Sequence, residues 1–213
     1  VNMSDFTQWW RLEKNANRKQ PFGKDSNIQG KGNHPVIHIS WDDAMAYCKW
    51  AGKRLPTEAE FEYASRGGLK NNLYSWGNEP IYKGDTKANT WEGKFPSNNN
   101  LNDKYYYTAP VKSFKPNAYG FYDLGGNVWE WCSDWYHSDY YEMISKSVVS
   151  NPRGPEKSYD PNEPYSPKKV MRGGSFLCND SYCSGFRNSM RMKSTPDSSS
   201  LHAGFRTVMD ERV

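Results

Sequence analysis

Two cysteines, Cys178 and Cys183, stand five residues apart in the segment Arg172-Gly-Gly-Ser-Phe-Leu-Cys178-Asn-Asp-Ser-Tyr-Cys183. A glycine-rich turn precedes them and Gly185-Phe186-Arg187 follows. A spacing of five matches neither one face of a helix nor one face of a strand. Asn179, Asp180 and Ser181 favour turns, so the segment is expected to loop and bring its sulfurs together. Converging thiols can form a disulfide, hold a soft metal, or do redox chemistry, and this segment alone leaves all three open. The other cysteines, Cys48 and Cys132, read as small buried hydrophobes. Four cysteines in 213 residues are too few for a disulfide scaffold.

Oxygen donors gather in two other places. Ser97-Asn-Asn-Asn-Leu-Asn-Asp103 is dense in oxygen ligands but lacks the EF-hand pattern. Asp123-Leu-Gly-Gly-Asn-Val-Trp-Glu130-Trp places carboxylates on both sides of a Gly-Gly bend, where main-chain carbonyls could close around Ca²⁺. The plain alternative is a tight turn that sends Trp129 and Trp131 into the core. Thr195-Pro-Asp-Ser-Ser-Ser-Leu-His202 either is a proline turn capped by Asp197 or delivers Ser and His to a site. His34, His38, His137 and His202 show no ligand spacing, which argues against a zinc enzyme.

The elements that must position these groups are short. Ser4 could cap a helix through Phe6, Trp9 and Trp10. Residues 14–34 read as a polar loop. His34-Pro-Val-Ile-His-Ile39 reads as a short strand leading to Ser40, the cap of a helix with Asp42 and Asp43 in its first turn. That helix carries Ala44, Tyr47, Cys48 and Ala51 on one side and stops at Gly52. Thr57-Glu-Ala-Glu60 is a capping box for a second helix ending before Gly67-Gly68. Beyond residue 69 the pattern is turns, short strands and aromatic clusters, without repeats or a clean linker. Residues 152–167, rich in Pro, Ser, Glu and Lys, suggest a surface excursion.

Composition agrees with a loop-rich fold. Leu, Ile, Val and Phe supply only 31 of 213 residues, a share low enough to raise the question of disorder. A net charge of +4 with 9 Trp and 15 Tyr answers it: the core is built from aromatic rings and glycine turns. The charge is spread along the chain without a basic stripe or recognition motif, which speaks against nucleic acid. No apolar run reaches membrane-spanning length, and no signal peptide is visible. The abrupt opening at Val1-Asn2-Met3 suggests that a segment upstream was lost.

Gly120-Phe-Tyr-Asp-Leu-Gly-Gly-Asn-Val-Trp-Glu-Trp131, Gly52-Lys-Arg-Leu-Pro-Thr-Glu-Ala-Glu-Phe-Glu-Tyr63, Arg172-Gly-Gly-Ser175 and Gly204-Phe-Arg206 together resemble the sulfatase-modifying-factor domain. With both Cys178 and Cys183, followed by Thr195-Pro-Asp-Ser-Ser199, the chain resembles the formylglycine-generating branch of that family. The resemblance runs from Val1 to about Val208, so residues 1–213 are expected to form one domain. It implies an irregular α+β fold, poor in regular secondary structure and related to C-type-lectin-like folds. It also implies a copper-dependent oxidase that converts a cysteine in a sulfatase Cys-x-Pro-x-Arg segment to Cα-formylglycine with O₂. Cys178 and Cys183 would hold Cu(I), with Ser175 and Trp129 lining the active site. Tyr182 and His202 would line the pocket, and Arg187 would support the site electrostatically or form a structural salt bridge. Two structural calcium sites are implied: Asn89, the Thr90 carbonyl, Asp103 and the Tyr105 carbonyl; and Asp123, the Gly126 and Val128 carbonyls, and Glu130.

The departures point to a prokaryotic-type member, either cytoplasmic or periplasmic. Ser65, Asn188 and Thr207 stand where vertebrate members place disulfide partners, leaving Cys48 without one. The strand hairpin that usually begins the domain is not in the sequence. The implied partners are an unfolded or nascent sulfatase polypeptide and O₂, with no nucleic acid and no membrane span, acting on a monomeric enzyme. The alternative is a non-catalytic binding or envelope-assembly module of the same family, whose members usually lack the paired cysteines.

Overall fold

The computed structural model describes residues 5–211. A 3₁₀ turn over Phe6–Trp9 opens the described part, and the expected cap Ser4 lies outside it. Helix α1 spans Trp41–Ala51 and α2 spans Glu58–Arg66. Each begins with a reciprocal capping box, Ser40 with Asp43 and Thr57 with Glu60, satisfying amide groups that the first turn leaves unpaired. Each ends at a left-handed glycine, Gly52 or Gly67, the conformation glycine adopts without Cβ strain. Ala44 and Cys48 turn inward from α1, whereas Tyr47, expected on the same buried side, is largely exposed.

The sheet comes from the second half of the chain: β1 (Trp129–Trp135), β2 (Lys169–Arg172), β3 (Met192–Ser194) and β4 (Ala203–Gly204). A five-residue helix, α3 (Tyr140–Ile144), follows β1. Strand order is β3-β2-β1-β4. β2 is antiparallel to both neighbours and β4 is parallel to β1. The registers Trp131↔Met171 and Met171↔Met192 run a row of large side chains across three strands. Trp129 pairs with Ala203 on the fourth.

His34 to Ile39 is not a strand. His38 takes φ +53° and its Nε2 bonds to the Pro21 carbonyl at 2.8 Å, so the segment bends instead of pairing. Cys48 and Cys132 are buried free thiols, as expected. Ser65 and Asn188, where bridging cysteines stand in vertebrate relatives by the resemblance, are joined by a buried 2.5 Å hydrogen bond from Ser65 Oγ to Asn188 Oδ1. Residues 152–167 lie mostly at the surface, but Asp160 is buried between Lys168 and Lys193 at 2.7 and 2.8 Å, which ties the excursion to the sheet. Among the described residues no helix is long and apolar enough to cross a membrane.

Candidate active site and cation-binding loops

The route into the cysteine loop starts at Arg172, the buried last residue of β2. Its Nη1 meets Glu58 Oε1 at 2.7 Å and its Nη2 meets Glu62 Oε2 at 2.8 Å, with a further hydrogen bond to the Asn188 carbonyl. Gly173 and Gly174 follow with φ of +92° and +76°. A Cβ on Gly174 would lie 2.6 Å from the Gly185 carbonyl carbon and the Phe186 nitrogen, so the two chain segments cross where a side chain has no room.

Ser175 is fully buried, and its carbonyl accepts the Cys178 N–H at 2.9 Å. Its Oγ accepts from Leu177 N at 3.3 Å and lies 3.9 Å from Cys178 Sγ. Asn179 then shapes the turn. Its Oδ1 accepts from Tyr182 N at 2.8 Å and Ser181 Oγ at 3.2 Å, and its Nδ2 donates to the Gly93 carbonyl at 3.2 Å. The Asn179 carbonyl receives Cys183 N and Ser184 N. These bonds fold the loop so that Cys178 and Cys183 are disulfide-bonded, with Cα atoms 5.3 Å apart. Cys178 is buried; Cys183 is half-buried.

Trp129 is brought to the pair. A Cβ on Gly185 would lie 2.5 Å from the Trp129 ring and 2.8 Å from Cys178 Sγ, so glycine is what lets indole and sulfur approach. Tyr182, on the loop's outer side, stacks on Phe95 with centroids 4.5 Å apart and is joined by Trp9 at 5.3 Å. Arg187 is exposed and forms no ion pair among the described residues, so the structural salt bridge expected for it is not formed. His202 is 6% exposed, its ring 5.3 Å from that of Trp10, and its Nδ1 has no hydrogen-bond partner. Burial pulls the His202 imidazole down to about 4, so it is neutral near pH 7.

In the first expected calcium set, Asp103 is bonded to two of the other positions. Asp103 accepts from Thr90 N (3.1 Å, Oδ2) and Tyr105 N (2.9 Å, Oδ1), and Asn89 precedes Thr90 in the chain. Asn89 donates through Nδ2 to the Tyr107 carbonyl at 2.8 Å, while its buried Oδ1 has no donor. Burial, aided by the charge of Glu92, pushes the Asp103 carboxyl up to about 6. An orphaned amide oxygen and a destabilised carboxylate on neighbouring loops are oxygen donors of the kind a hard cation takes.

The second set is held differently. Glu130 is paired through both oxygens with Arg206, whose Nη2 lies 2.6 Å from Oε1 and also reaches the Tyr122 and Asp123 carbonyls. Asp123, at φ +55°, accepts from Lys112 N at 2.8 Å. Burial raises both carboxyls, against the opposing charge of Arg206. Glu130 is thus paired with the guanidinium through both oxygens, while the half-buried Asp123 carboxylate is held by a main-chain N–H and only the Asp123 carbonyl meets Arg206. Gly126 and Val128 lie on the turn between them, and Asn127 N bonds the Asn89 carbonyl at 2.8 Å, so the two loops brace each other. Among the described residues no three His, Cys, Asp or Glu side chains cluster as metal ligands. Cations at these loops would depend on amide and carbonyl oxygens. The cysteine pair, once reduced, would offer two soft thiolate donors.

Two features escaped sequence reasoning. Arg206 was legible only as part of a motif, because its partner Glu130 is 76 residues away. The cavity of about 350 Å³ beside His202, lined by Trp10, Trp131, Met171, Met192 and serines of the 194–200 loop, depends on strand register that no local pattern reveals.

Comparison with known proteins places these features in context. The family described as sulfatase-modifying factor enzyme 1-like domain matches residues 2–211. The chain is 48% identical over 202 residues to a formylglycine-generating enzyme of Thermomonospora curvata, covering 95% of this chain and 64% of that protein. It is 40% identical over 203 residues to inactive C-alpha-formylglycine-generating enzyme 2 of Bos taurus, covering 93% and 58%. The chain thus spans less than two thirds of these relatives. Among solved structures, Treponema denticola variable protein 1 superposes with a TM-score of 0.64 at 22% identity, covering 90% of this chain and 77% of that one, a likeness of fold.

Proposed function

The chain belongs to the sulfatase-modifying factor enzyme 1-like domain family, and from that premise we propose that it oxidises a cysteine in a sulfatase Cys-x-Pro-x-Arg segment to Cα-formylglycine. The observation that carries the proposal is the Cys178–Cys183 pair, closed by its loop onto Ser175 and Trp129. The disulfide is the oxidised resting form, and a thiol reductant converts it to two thiolates. Cu(I), when bound by that pair, would supply the capacity to take up the substrate thiolate and activate O₂. Ser175 Oγ is within reach of Cys178 Sγ and holds it by hydrogen bonding. Trp129 and Phe186, both buried in the core that holds Cys178, shield its sulfur from water and form a wall against which the substrate Cβ would lie. Tyr182 and Phe95 anchor the outer side of the loop.

The chemistry balances with one external reductant. The substrate loses a Cβ hydrogen and its thiol hydrogen to give a thioaldehyde, and water replaces sulfur, releasing hydrogen sulfide. O₂ is reduced to two waters, taking two electrons from the substrate and two from a pair of added thiols. Calcium at Asn89, Thr90, Asp103 and Tyr105, and at Asp123, Gly126, Val128 and Glu130, would stiffen the loops that carry Trp129 to the site. The test is to follow O₂ uptake and aldehyde formation together, with a Cys-x-Pro-x-Arg peptide and copper-loaded reduced protein. Uptake without peptide aldehyde would sink the reading.

A further inference from the structure

The outer wall of the cysteine loop bears carboxylates that the proposed reaction leaves unused. A cavity of about 260 Å³ lies between the turn at 179–181 and the loop of residues 92–102. The two walls are tied together, because Asn179 Nδ2 donates to the Gly93 carbonyl at 3.2 Å. Glu92 is fixed on one wall: its Oε2 accepts Asn102 N at 3.1 Å and its N–H donates to Asn99 Oδ1 at 3.2 Å. Asp180 stands exposed on the other, its carbonyl accepting Ser184 Oγ at 3.0 Å. Neither carboxylate forms an ion pair among the described residues. No Lys, Arg or His lines the cavity. In a chain of net charge +4, this is a local negative field without a counterion of its own. Ile81 and Tyr82, the latter 79% exposed, supply an apolar side along which a long aliphatic stem can lie.

We propose that this cleft takes a cationic side chain of the substrate polypeptide, with Glu92 and Asp180 as its counterions. The assignment rests on the reading above that the cysteine loop acts on a polypeptide. Reach allows it. Asp180 follows Cys178 by two residues, so their Cα atoms are at most about 7 Å apart. An arginine four residues from the reacting cysteine, as in Cys-x-Pro-x-Arg, is carried up to about 14 Å by extended backbone before its own side chain begins. Its guanidinium presents five donors in a planar fork, enough to engage more than one carboxylate. A lysine flanking the segment has the same charge and stem, so the two sources share one chemistry.

Fluorescence anisotropy of a labelled Ser-x-Pro-x-Arg peptide with one flanking lysine tests the cleft on the whole, reduced chain, without copper or oxidation. Asp180→Asn and Glu92→Gln should each weaken binding about two- to fivefold, and Asp180→Lys about tenfold. Both positions are exposed or half-buried, and unchanged circular dichroism certifies the fold. Added salt should weaken binding to the native chain in the same sense. Citrulline, the neutral isostere of arginine, in the peptide abolishes these differences if the arginine is the occupant. If they survive citrulline and vanish when the flanking lysine becomes glutamine, the lysine is the occupant. Equal affinity of the native chain and Asp180→Lys for the arginine peptide, or no binding by the native chain, would overturn the cleft. If affinity follows charge as stated while the cysteine peptide is never converted, the oxidation reading falls and the cleft stands. If the cysteine peptide is converted while binding ignores all three substitutions, the cleft alone falls.

Discussion

Cys178 and Trp129 meet over one glycine: a methyl group on Gly185 would come within 2.8 Å of the sulfur and 2.5 Å of the indole. The approach of the two groups proposed to shape the active site is therefore limited by a single missing Cβ. Gly185→Ala should destabilise the protein by about 1–3 kcal/mol, the usual cost of overpacking, and should lower peptide conversion further than stability alone explains. Gly32→Ala, where a Cβ would meet nothing within 4 Å and φ is not positive, is the control and should change neither. Urea unfolding with turnover on the same samples decides it; a neutral Gly185→Ala would contradict the packing.

Glu58 anchors the approach to the cysteine loop. It is 3% exposed at the side chain and receives Arg172 Nη1 at 2.7 Å and Arg191 Nε at 2.6 Å. Glu58→Gln removes the carboxylate paired with Arg191 and one of the two paired with buried Arg172, which should cost about 3–5 kcal/mol. A midpoint shift in urea at constant slope measures it. A loss below about 1 kcal/mol would show that the pair does not hold Gly173-Gly174-Ser175 in place.

Calcium and pH should be linked through Asp103. Its folded carboxyl is raised to about 6, above an unfolded value near 4, so the calcium-free fold favours the protonated form. The stability this contributes is full below about pH 4 and is lost as pH rises through about 6. Calcium needs the carboxylate, so the stabilisation by calcium should grow from about pH 5 to about pH 7 and then level off. Thermal unfolding in calcium and in chelator across that range checks the slope. Asp103→Asn should flatten it; a calcium effect independent of both pH and this substitution would contradict the assignment.

The local chemistry of the fold was legible in the sequence, and its long-range pairings were not. Ser40, Thr57, Gly52 and Gly67 announced both main helices because caps are satisfied within one turn. Asn179, Asp180 and Ser181 announced the loop that unites the cysteines for the same reason. His34 to Ile39 read as a strand from its β-branched residues, but the bond of His38 to Pro21 bends it. The pairing of Met171 with Met192 and of Glu130 with Arg206 joins distant segments, so neither the cavity nor the Glu130–Arg206 ion pair could be read from spacing. Resemblance supplied the candidate calcium ligands; the orphaned Asn89 oxygen is a physical reason for one set that the sequence did not contain.

The central claim is that Cys178 and Cys183 act together on a substrate cysteine. Its most direct test is mass spectrometry of a Cys-x-Pro-x-Arg peptide incubated with O₂, thiol and Cu(I) and one of three proteins: the native chain, Cys178→Ser or Cys183→Ser. The account predicts conversion of thiol to aldehyde by the native chain alone, with Cu(I) binding at the pair lost in both variants. An unconverted peptide with the native chain, or full conversion by either variant, would contradict it.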